Sequence, residues 1–271
     1  MHTSYCYNFE ISYENKMLFD YYEILVLSFI QGISEFLPIS SSAHLYIISE
    51  LFDFKSQSLM IDVGMHLGSL LAVLFYFKKD FLNILENKQI LKLIVIGSIP
   101  LILVGFIIYT TGIIDTLRNL KLLAWLSLIF AIVLYFADKI KVTKKIDTDL
   151  NLKSILIIGL FQIASLFPGV SRSGIVITAG RFLKFNRYDA TKISFYLSLP
   201  AIAGASFLSL KDVFTNDVIL SSLVLLSVFL SFIFSYITIK YFLIFVKNFN
   251  FNIFIIYRIV LSLLIFYFIY S

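Results

Sequence analysis

The chain has 271 residues, of which 59% are hydrophobic and 14% are charged, and its formal net charge is +5. Soluble domains are roughly 45–50% apolar and about 25% charged, so this composition excludes the ordinary water-soluble classes, including nucleic-acid-binding domains. The apolar runs are continuous rather than alternating, which argues against a transmembrane β-barrel. With a mean hydropathy of +0.92, the sequence predicts an all-α polytopic membrane protein.

The first 16 residues differ from the rest of the chain. Residues 1–16 are polar, and they lack the basic and then apolar order of a cleavable signal peptide. We interpret them as a loose leader or a mis-assigned start, and we expect residues 17–271 to form a single integral-membrane domain. Cys6 is the only cysteine, which excludes a disulfide within the chain.

About six segments are long and apolar enough to cross a bilayer, which takes about 20 residues. They are 59–77, 93–114, 120–137, 193–210, 218–245 and 249–270. The sequence therefore predicts about six transmembrane helices.

Two further apolar regions, 22–52 and 154–184, are interrupted near their middle. The first contains Pro38 followed by the letters SSS, and the second contains Pro168 followed by SRS. Each half is about 10–14 residues long, too short to span a membrane. Interrupted segments at corresponding positions in two halves of a chain predict re-entrant broken-helix hairpins, here two of them in an inverted repeat.

The basic residues predict the orientation of these segments. They concentrate in 78–92, 138–153 and 184–192 and at Lys247. Cytoplasmic loops carry an excess of lysine and arginine, so we expect these stretches on the cytoplasmic side. The first hairpin would then enter from outside and the second from the cytoplasm. The two hairpins would meet near mid-membrane, and the C-terminus would lie outside.

Three ionisable residues, Glu35, His44 and Arg172, lie at or beside the helix breaks. A charged group in the bilayer costs at least about 2.5–3.5 kcal/mol, so such residues are usually functional. Each serine cluster precedes a half-helix, where it caps the helix and helps to form an anion site. The planar fork of an arginine matches phosphate oxygens. The pattern predicts a site that grips a diphosphate.

The same region could hold a divalent cation. Glu35 lies near the end of its half-helix and Gln31 one turn earlier, so we expect these two residues to bind Mg²⁺ or Ca²⁺. His44 could act as a general acid or base, or could itself attack phosphorus.

Structural interpretations compete with these functional ones. Proline and serine also occur in membrane helices as kinks and packing contacts. Asp62 and His66 are four residues apart but lack a third metal ligand, so we interpret them as structural or supporting groups. We interpret Arg258 as an anchor inside the bundle and Arg181 as a marker of the membrane interface.

Several stretches carry a resemblance to a known family. The two longest are QGISEFLPISSSAHL (31–45) and PGVSRSGIVIT (168–178), and they are joined by DVGMHLGSLLAVLFYF (62–77), KISFYLSLPAIAGA (192–205) and IYRIVL (256–261). From about Met17 to the C-terminus the chain resembles the undecaprenyl-diphosphate phosphatase family, also called the bacitracin-resistance family.

The resemblance implies an enzyme that hydrolyses undecaprenyl diphosphate to undecaprenyl phosphate and phosphate. This reaction recycles the lipid carrier of peptidoglycan synthesis and confers bacitracin resistance. It also implies a multi-pass protein of the bacterial cytoplasmic (inner) membrane, with a site that opens to the outer, periplasmic face. The expected partners are the polyprenyl diphosphate lipid and the bilayer, with no nucleic acid, and a homodimer is compatible with the sequence.

The family motifs assign roles to individual residues. The expected catalytic residues are Glu35, Ser41, His44 and Arg172. The expected substrate-binding residues are Gln31, Ser42, Ser171, Ser173 and Thr178. The nucleophile stays open between Ser41, His44 and water. Since inverted repeats with broken helices are also a transporter design, the alternative function is a transporter or flippase of polyprenyl phosphate lipids.

Overall fold

The computed structural model describes residues 2–52, 54, 58–86, 88–113, 119–214 and 222–271, although not the side chains of 2–17, 49–51, 84–86 and 208–214. These described residues form helices and contain no strand, only an isolated bridge between Lys144 and Phe185. The helices are α1 His2–Ser34, α2 Ser41–Phe52, α3 Leu59–Tyr76, α4 Lys78–Glu86, α5 Lys88–Thr111, α6 Leu120–Asp138, α7 Ile146–Asp149, α8 Leu152–Gln162, α9 Arg172–Phe182, α10 Arg187–Phe214, α11 Ser222–Asn248 and α12 Asn252–Tyr270.

Among the described residues, five helices are long and apolar enough to cross a membrane: α3, α5, α6, α11 and α12. They correspond to five of the predicted spans, and the predicted all-α polytopic membrane class is confirmed. The sixth prediction, 193–210, lies inside α10 and does not belong to this set. Helix α10 has the length, with 28 residues, and the predicted span contains no charged residue, but its side chains are described only as far as residue 207.

The first half of the first hairpin is longer than predicted. Instead of a half-helix of about 14 residues, α1 is a continuous helix of 33 residues that begins at His2. Residues 1–16 contain neither proline nor glycine, the two residues that most strongly oppose helix formation, so the helix continues through them. The division of the chain into a leader and one domain stays a prediction.

Both predicted breaks are present. Helix α1 ends at Ser34 and α2 begins at Ser41, while α8 passes through a 3₁₀ turn over Ile163–Leu166 before α9 begins. Proline cannot donate a backbone hydrogen bond, but Pro100 and Pro200 lie inside the continuous helices α5 and α10, so proline alone does not end a helix here. At the two breaks the proline is followed within three residues by a serine with positive φ, which interrupts the helical backbone. The two breaks touch each other, because the Ser173 hydroxyl donates to the Leu37 carbonyl oxygen at 2.7 Å.

Small residues allow the spanning helices to pack closely. A Cβ on Gly68 of α3 would overlap the backbone of α11 at Val228. Beside it, Ser69 Oγ lies 3.1 Å from Ser231 Oγ and accepts a hydrogen bond from Ser235 at 3.0 Å. Between membrane helices, close backbone approach and hydroxyl contacts of this kind replace the hydrophobic effect as the source of association.

The stretches predicted to be cytoplasmic come together at one end of the molecule. Asp138, at the end of α6, accepts hydrogen bonds from Arg187 at 2.7 and 3.1 Å and from the Phe251 N–H at 3.2 Å. Lys192 pairs with Asp80 at 3.0 Å. Arg181, which we expected at the interface, is 2% exposed and helps to tie this end together.

Candidate active site

The Glu35 carboxylate joins the two breaks. Its Oε1 accepts a hydrogen bond from Arg172 Nη2 at 2.5 Å, and its Oε2 accepts bonds from Ser41 Oγ at 2.7 Å and from Gln31 Nε2 at 3.1 Å. The side chains of Glu35 and Arg172 are only 7% and 12% exposed. The structure therefore brings four predicted site residues into one buried polar cluster.

Local backbone geometry explains this convergence. Glu35 directly follows α1, and its N–H donates to the Gln31 carbonyl oxygen at 3.0 Å. Ser41 is the first residue of α2, and Arg172 is the first residue of α9. A carboxylate at the end of one helix therefore faces the N-termini of two others, where partial positive charge favours anions.

Arg172 also reaches a third element. Its Nη1 donates to the Ser194 carbonyl oxygen of α10 at 3.3 Å while Nη2 holds Glu35. A planar guanidinium can donate hydrogen bonds to two acceptors at once in fixed directions. A lysine ammonium lacks this fixed geometry.

The serines of the second break form the start of α9. Ser171 Oγ accepts the Gly174 N–H at 3.1 Å, which is a typical N-cap bond, and lies 3.2 Å from Ser173 Oγ. The first break has a similar pair, with Ser40 Oγ 3.4 Å from Ser42 Oγ. Ser42 itself is exposed.

Thr178 is not part of this cluster. Its hydroxyl donates to the Gly174 carbonyl oxygen at 2.7 Å within α9, and the residue is 1% exposed. The structure thus gives Thr178 a partner in its own helix, and its predicted role in substrate binding stays a prediction.

His44 faces α12 rather than Glu35. Its Nδ1 lies 2.6 Å from the Ser40 carbonyl oxygen, and its Nε2 lies 2.5 Å from the Tyr257 hydroxyl. The two rings stack, with centroids 5.6 Å apart and planes 10° apart. Because a carbonyl oxygen can only accept, Nδ1 carries a proton, and in the neutral ring Nε2 accepts a hydrogen bond from the Tyr257 hydroxyl.

Two neighbours of the cluster were not predicted as site residues. His66 Nε2 lies 3.9 Å from Glu35 Oε2, while its Nδ1 lies 2.7 Å from the Asp62 carbonyl oxygen. Tyr257 holds His44 from the other side. In the sequence, His66 was marked only by its spacing of four residues from Asp62 on an apolar span, and Tyr257 only by its place in the stretch IYRIVL.

A cation would find few protein ligands here. The described residues contain no group of three or more His, Cys, Asp and Glu side chains that could hold a metal. Gln31 Oε1 is buried without a partner in the described part, and Glu35 supplies a carboxylate. These two oxygens fit a hard cation that takes its other ligands from phosphates and water, rather than a closed protein site. Because Gln31 Nε2 now faces Glu35, binding by both oxygens requires the opposite orientation of the amide.

Comparison with known proteins identifies the family. The family model described as bacitracin resistance protein BacA matches residues 24–264. The chain belongs to this family. Both breaks, the polar cluster and Tyr257 lie within the matched range.

Several relatives match over nearly their whole length. The undecaprenyl-diphosphatase of Pelagibacter ubique (strain HTCC1062) is 56% identical over 92% of this chain and 98% of its own. That of Elusimicrobium minutum (strain Pei191) is 41% identical over 89% of this chain and 95% of its own. Undecaprenyl-diphosphatase 3 of Bacillus cereus (strain ATCC 14579) is 36% identical over 87% of this chain and 92% of its own. These relatives carry the name of a hydrolase, so the transporter alternative is not favoured.

Proposed function

We propose that this BacA-family protein is an undecaprenyl-diphosphatase, which hydrolyses undecaprenyl diphosphate to undecaprenyl phosphate and phosphate. Family membership and the names of the relatives support this activity. The observation that carries the site assignment is the contact of one carboxylate, Glu35, with Ser41 of the first hairpin and Arg172 of the second. A carboxylate, a hydroxyl and a guanidinium in one buried cluster are suited to phosphoryl transfer, where positioning and charge stabilisation do most of the work.

The geometry supports Ser41 as the nucleophile. Its hydroxyl donates to Glu35 at 2.7 Å, the arrangement of a nucleophile with its base. Both nitrogens of His44 are engaged, one with Ser40 and one with Tyr257. In the proposed step Ser41 Oγ attacks the terminal phosphorus, its proton passes to Glu35, and the phosphoanhydride bond breaks to release undecaprenyl phosphate. Water then cleaves the phosphoserine, Glu35 returns its proton to Ser41 Oγ, and the proton lost by water passes to solvent.

The other residues bind and orient the head group. Arg172, with Ser171 and Ser173 at the start of α9, would hold the phosphates, and Ser42 lies at the exposed edge of the first break. Glu35 and Gln31 would hold a Mg²⁺ or Ca²⁺ ion, which would supply charge neutralisation to the phosphates. The inner membrane, the opening of the site to the periplasm and a homodimer stay predictions.

Phosphate release from undecaprenyl diphosphate by the purified protein in detergent tests the function. Detergent removes the two-sided membrane, so release there reports hydrolysis rather than transport. We expect Glu35→Ala, Arg172→Ala and Ser41→Ala to lose nearly all activity, and Lys141→Met, at the other end of the molecule, to keep it. With a terminally labelled substrate, labelled phosphate should remain on Ser41 of the wild-type protein after rapid quenching. Near-normal release by Glu35→Ala and Arg172→Ala would refute the site.

The same assay tests the cation. A chelator should stop phosphate release, and added Mg²⁺ or Ca²⁺ should restore it. Gln31→Glu adds a carboxylate beside Glu35 and should lower the cation concentration needed for half-maximal activity. Undiminished release in the chelator would rule out the cation.

A further inference from the structure

Arg258 of α12 is a buried cation with too few partners. It is 0% exposed, its Nη2 donates to the Gly169 carbonyl oxygen at 2.8 Å, and its Nε and Nη1 have no partner in the described part of the chain. No carboxylate among the described residues forms an ion pair with it. A guanidinium stays charged in proteins, and burying an unpaired charge is strongly unfavourable. Arg258 therefore lacks an anion.

Another arginine in the same molecule shows what a structural role looks like. Arg181 is also buried, but its terminal nitrogens donate to the carbonyl oxygens of Phe185, Asp138 and Ile140. Its Nε lies 3.3 Å from the Asp138 carboxylate. Arg181 thus has three carbonyl acceptors and a neighbouring carboxylate, and only its Nε forms no hydrogen bond in the described part of the chain. Arg258 has one carbonyl acceptor, no neighbouring carboxylate and two nitrogens without a hydrogen bond.

The unpartnered edge of Arg258 lies against the first turn of α9. A Cβ built on Gly174 would lie 3.3 Å from Arg258 Nη1. Helix α9 has 11 residues, and Ser171 caps only its Gly174 N–H, which leaves the N–H groups of Arg172 and Ser173 without a partner in the described residues. Free N–H groups at a helix N-terminus and a facing arginine form a site for a phosphate.

The geometry points to a second phosphate position, formed by Arg258 and the first turn of α9, for the phosphate that stays on the lipid. This inference rests on the proposed function, in which Glu35, Ser41 and Arg172 surround the terminal phosphate. Arg172 at the start of α9 pairs with Glu35, and Arg258 lies beside the first turn of the same helix. These three side chains carry one negative and two positive charges, so a diphosphate supplies the missing anion. When the phosphoanhydride bond breaks, charge develops on the oxygen that stays with the lipid phosphate, and Arg258 stabilises it.

Thermal stabilisation of the detergent-purified protein by inorganic pyrophosphate and by orthophosphate tests this position without requiring catalysis. The wild-type protein should respond to pyrophosphate at much lower concentration than to orthophosphate, because one pyrophosphate molecule occupies both positions at once, whereas two separate orthophosphate ions are needed to fill them. In Arg258→Met we expect the pyrophosphate concentration for half-maximal stabilisation to rise on the order of tenfold to hundredfold, the loss of one charge-assisted contact. Without ligand, Arg258→Met should be at least as stable as the wild type, since it removes an unpaired buried charge, whereas loss of an anchor would lower its stability. Lys141→Met, which removes a distant cation, should respond like the wild type.

Arg258→Lys keeps the test decisive if the methionine variant does not fold. The lysine variant retains the positive charge but loses the planar guanidinium. Its pyrophosphate concentration for half-maximal stabilisation should therefore rise, but by less than that of Arg258→Met. Responses to pyrophosphate equal to the wild type in both variants, or in the lysine variant alone if the other does not fold, would overturn the inference. If the wild type releases no phosphate from undecaprenyl diphosphate while pyrophosphate binding still depends on Arg258, the proposed function fails and the phosphate position stands.

Discussion

At the scale of single residues, the site depends on one buried ion pair. The side chains of Glu35 and Arg172 are almost fully buried, and the charge of each offsets the free-energy cost of burying the charge of the other. Removal of one partner from a buried pair leaves an uncompensated charge, while removal of both leaves none. The free energy of unfolding should therefore respond very differently to single and double substitutions.

Glu35→Gln and Arg172→Met should each lower the free energy of unfolding by about 3–5 kcal/mol. The free energy of unfolding of the double variant should fall by clearly less than the sum of the two single losses, because no charge is then left unpaired. Denaturant unfolding in detergent measures the three values. Lys192→Met is the control, since its pair with Asp80 is more exposed, at 19% and 35%, and should be worth about 1 kcal/mol or less. Additive losses in the double variant would show that the two charges do not stabilise each other.

At the scale of helices, the two breaks repeat an unusual backbone conformation. The residue before α2, Ser40, has φ of 75°, and the residue before α9, Ser171, has φ of 70°. Such angles are strained for any residue with a Cβ. Each hairpin therefore turns its chain by the same means just before the helix whose first residue contacts Glu35.

Alanine and glycine substitutions separate the backbone from the hydroxyl at these serines. Ser171→Ala keeps the strained backbone and loses the cap on Gly174, so the free energy of unfolding should fall by about 1 kcal/mol. Ser40→Ala loses only the 3.4 Å contact with Ser42, so its free energy of unfolding should fall by less than that of Ser171→Ala. At both positions the glycine variant should be about 1 kcal/mol more stable than the alanine variant, because glycine accepts positive φ. An alanine variant as stable as its glycine counterpart would contradict a left-handed backbone there.

The sequence predicts these breaks well but not what they touch. Proline and serine act locally, so Pro38, Pro168 and the serine clusters indicate where helices end and begin. The contact of Arg172 with Glu35 joins residues 137 apart, and that of His44 with Tyr257 joins residues 213 apart. Helical periodicity does not reveal which helix lies next to which. For that reason a diphosphate site could be predicted, while the unpartnered state of Arg258 could not.

At the scale of the whole molecule, the charges divide the bundle into two ends. Lys139, Lys141, Arg187 and Lys247 line a cavity of about 600 Å³ at one end. At the opposite end, Lys121 lies over the ring of Tyr270 at 5.7 Å, which places the start of α6 beside the end of α12. The excess of basic residues at the first end favours that end as the cytoplasmic one.

Single cysteines can test this orientation because Cys6 is the only native one. In a Cys6→Ser background, Lys141→Cys marks the basic end and Ser271→Cys marks the other, and both residues are exposed. A membrane-impermeant maleimide added to intact bacterial spheroplasts should label Ser271→Cys at once and Lys141→Cys only after the membrane is permeabilised. The reverse pattern would place the basic end outside and the second hairpin, with Arg172, would then enter from outside. Phosphate release by both variants, measured in detergent, confirms that the labelled proteins are folded, so either pattern reports orientation.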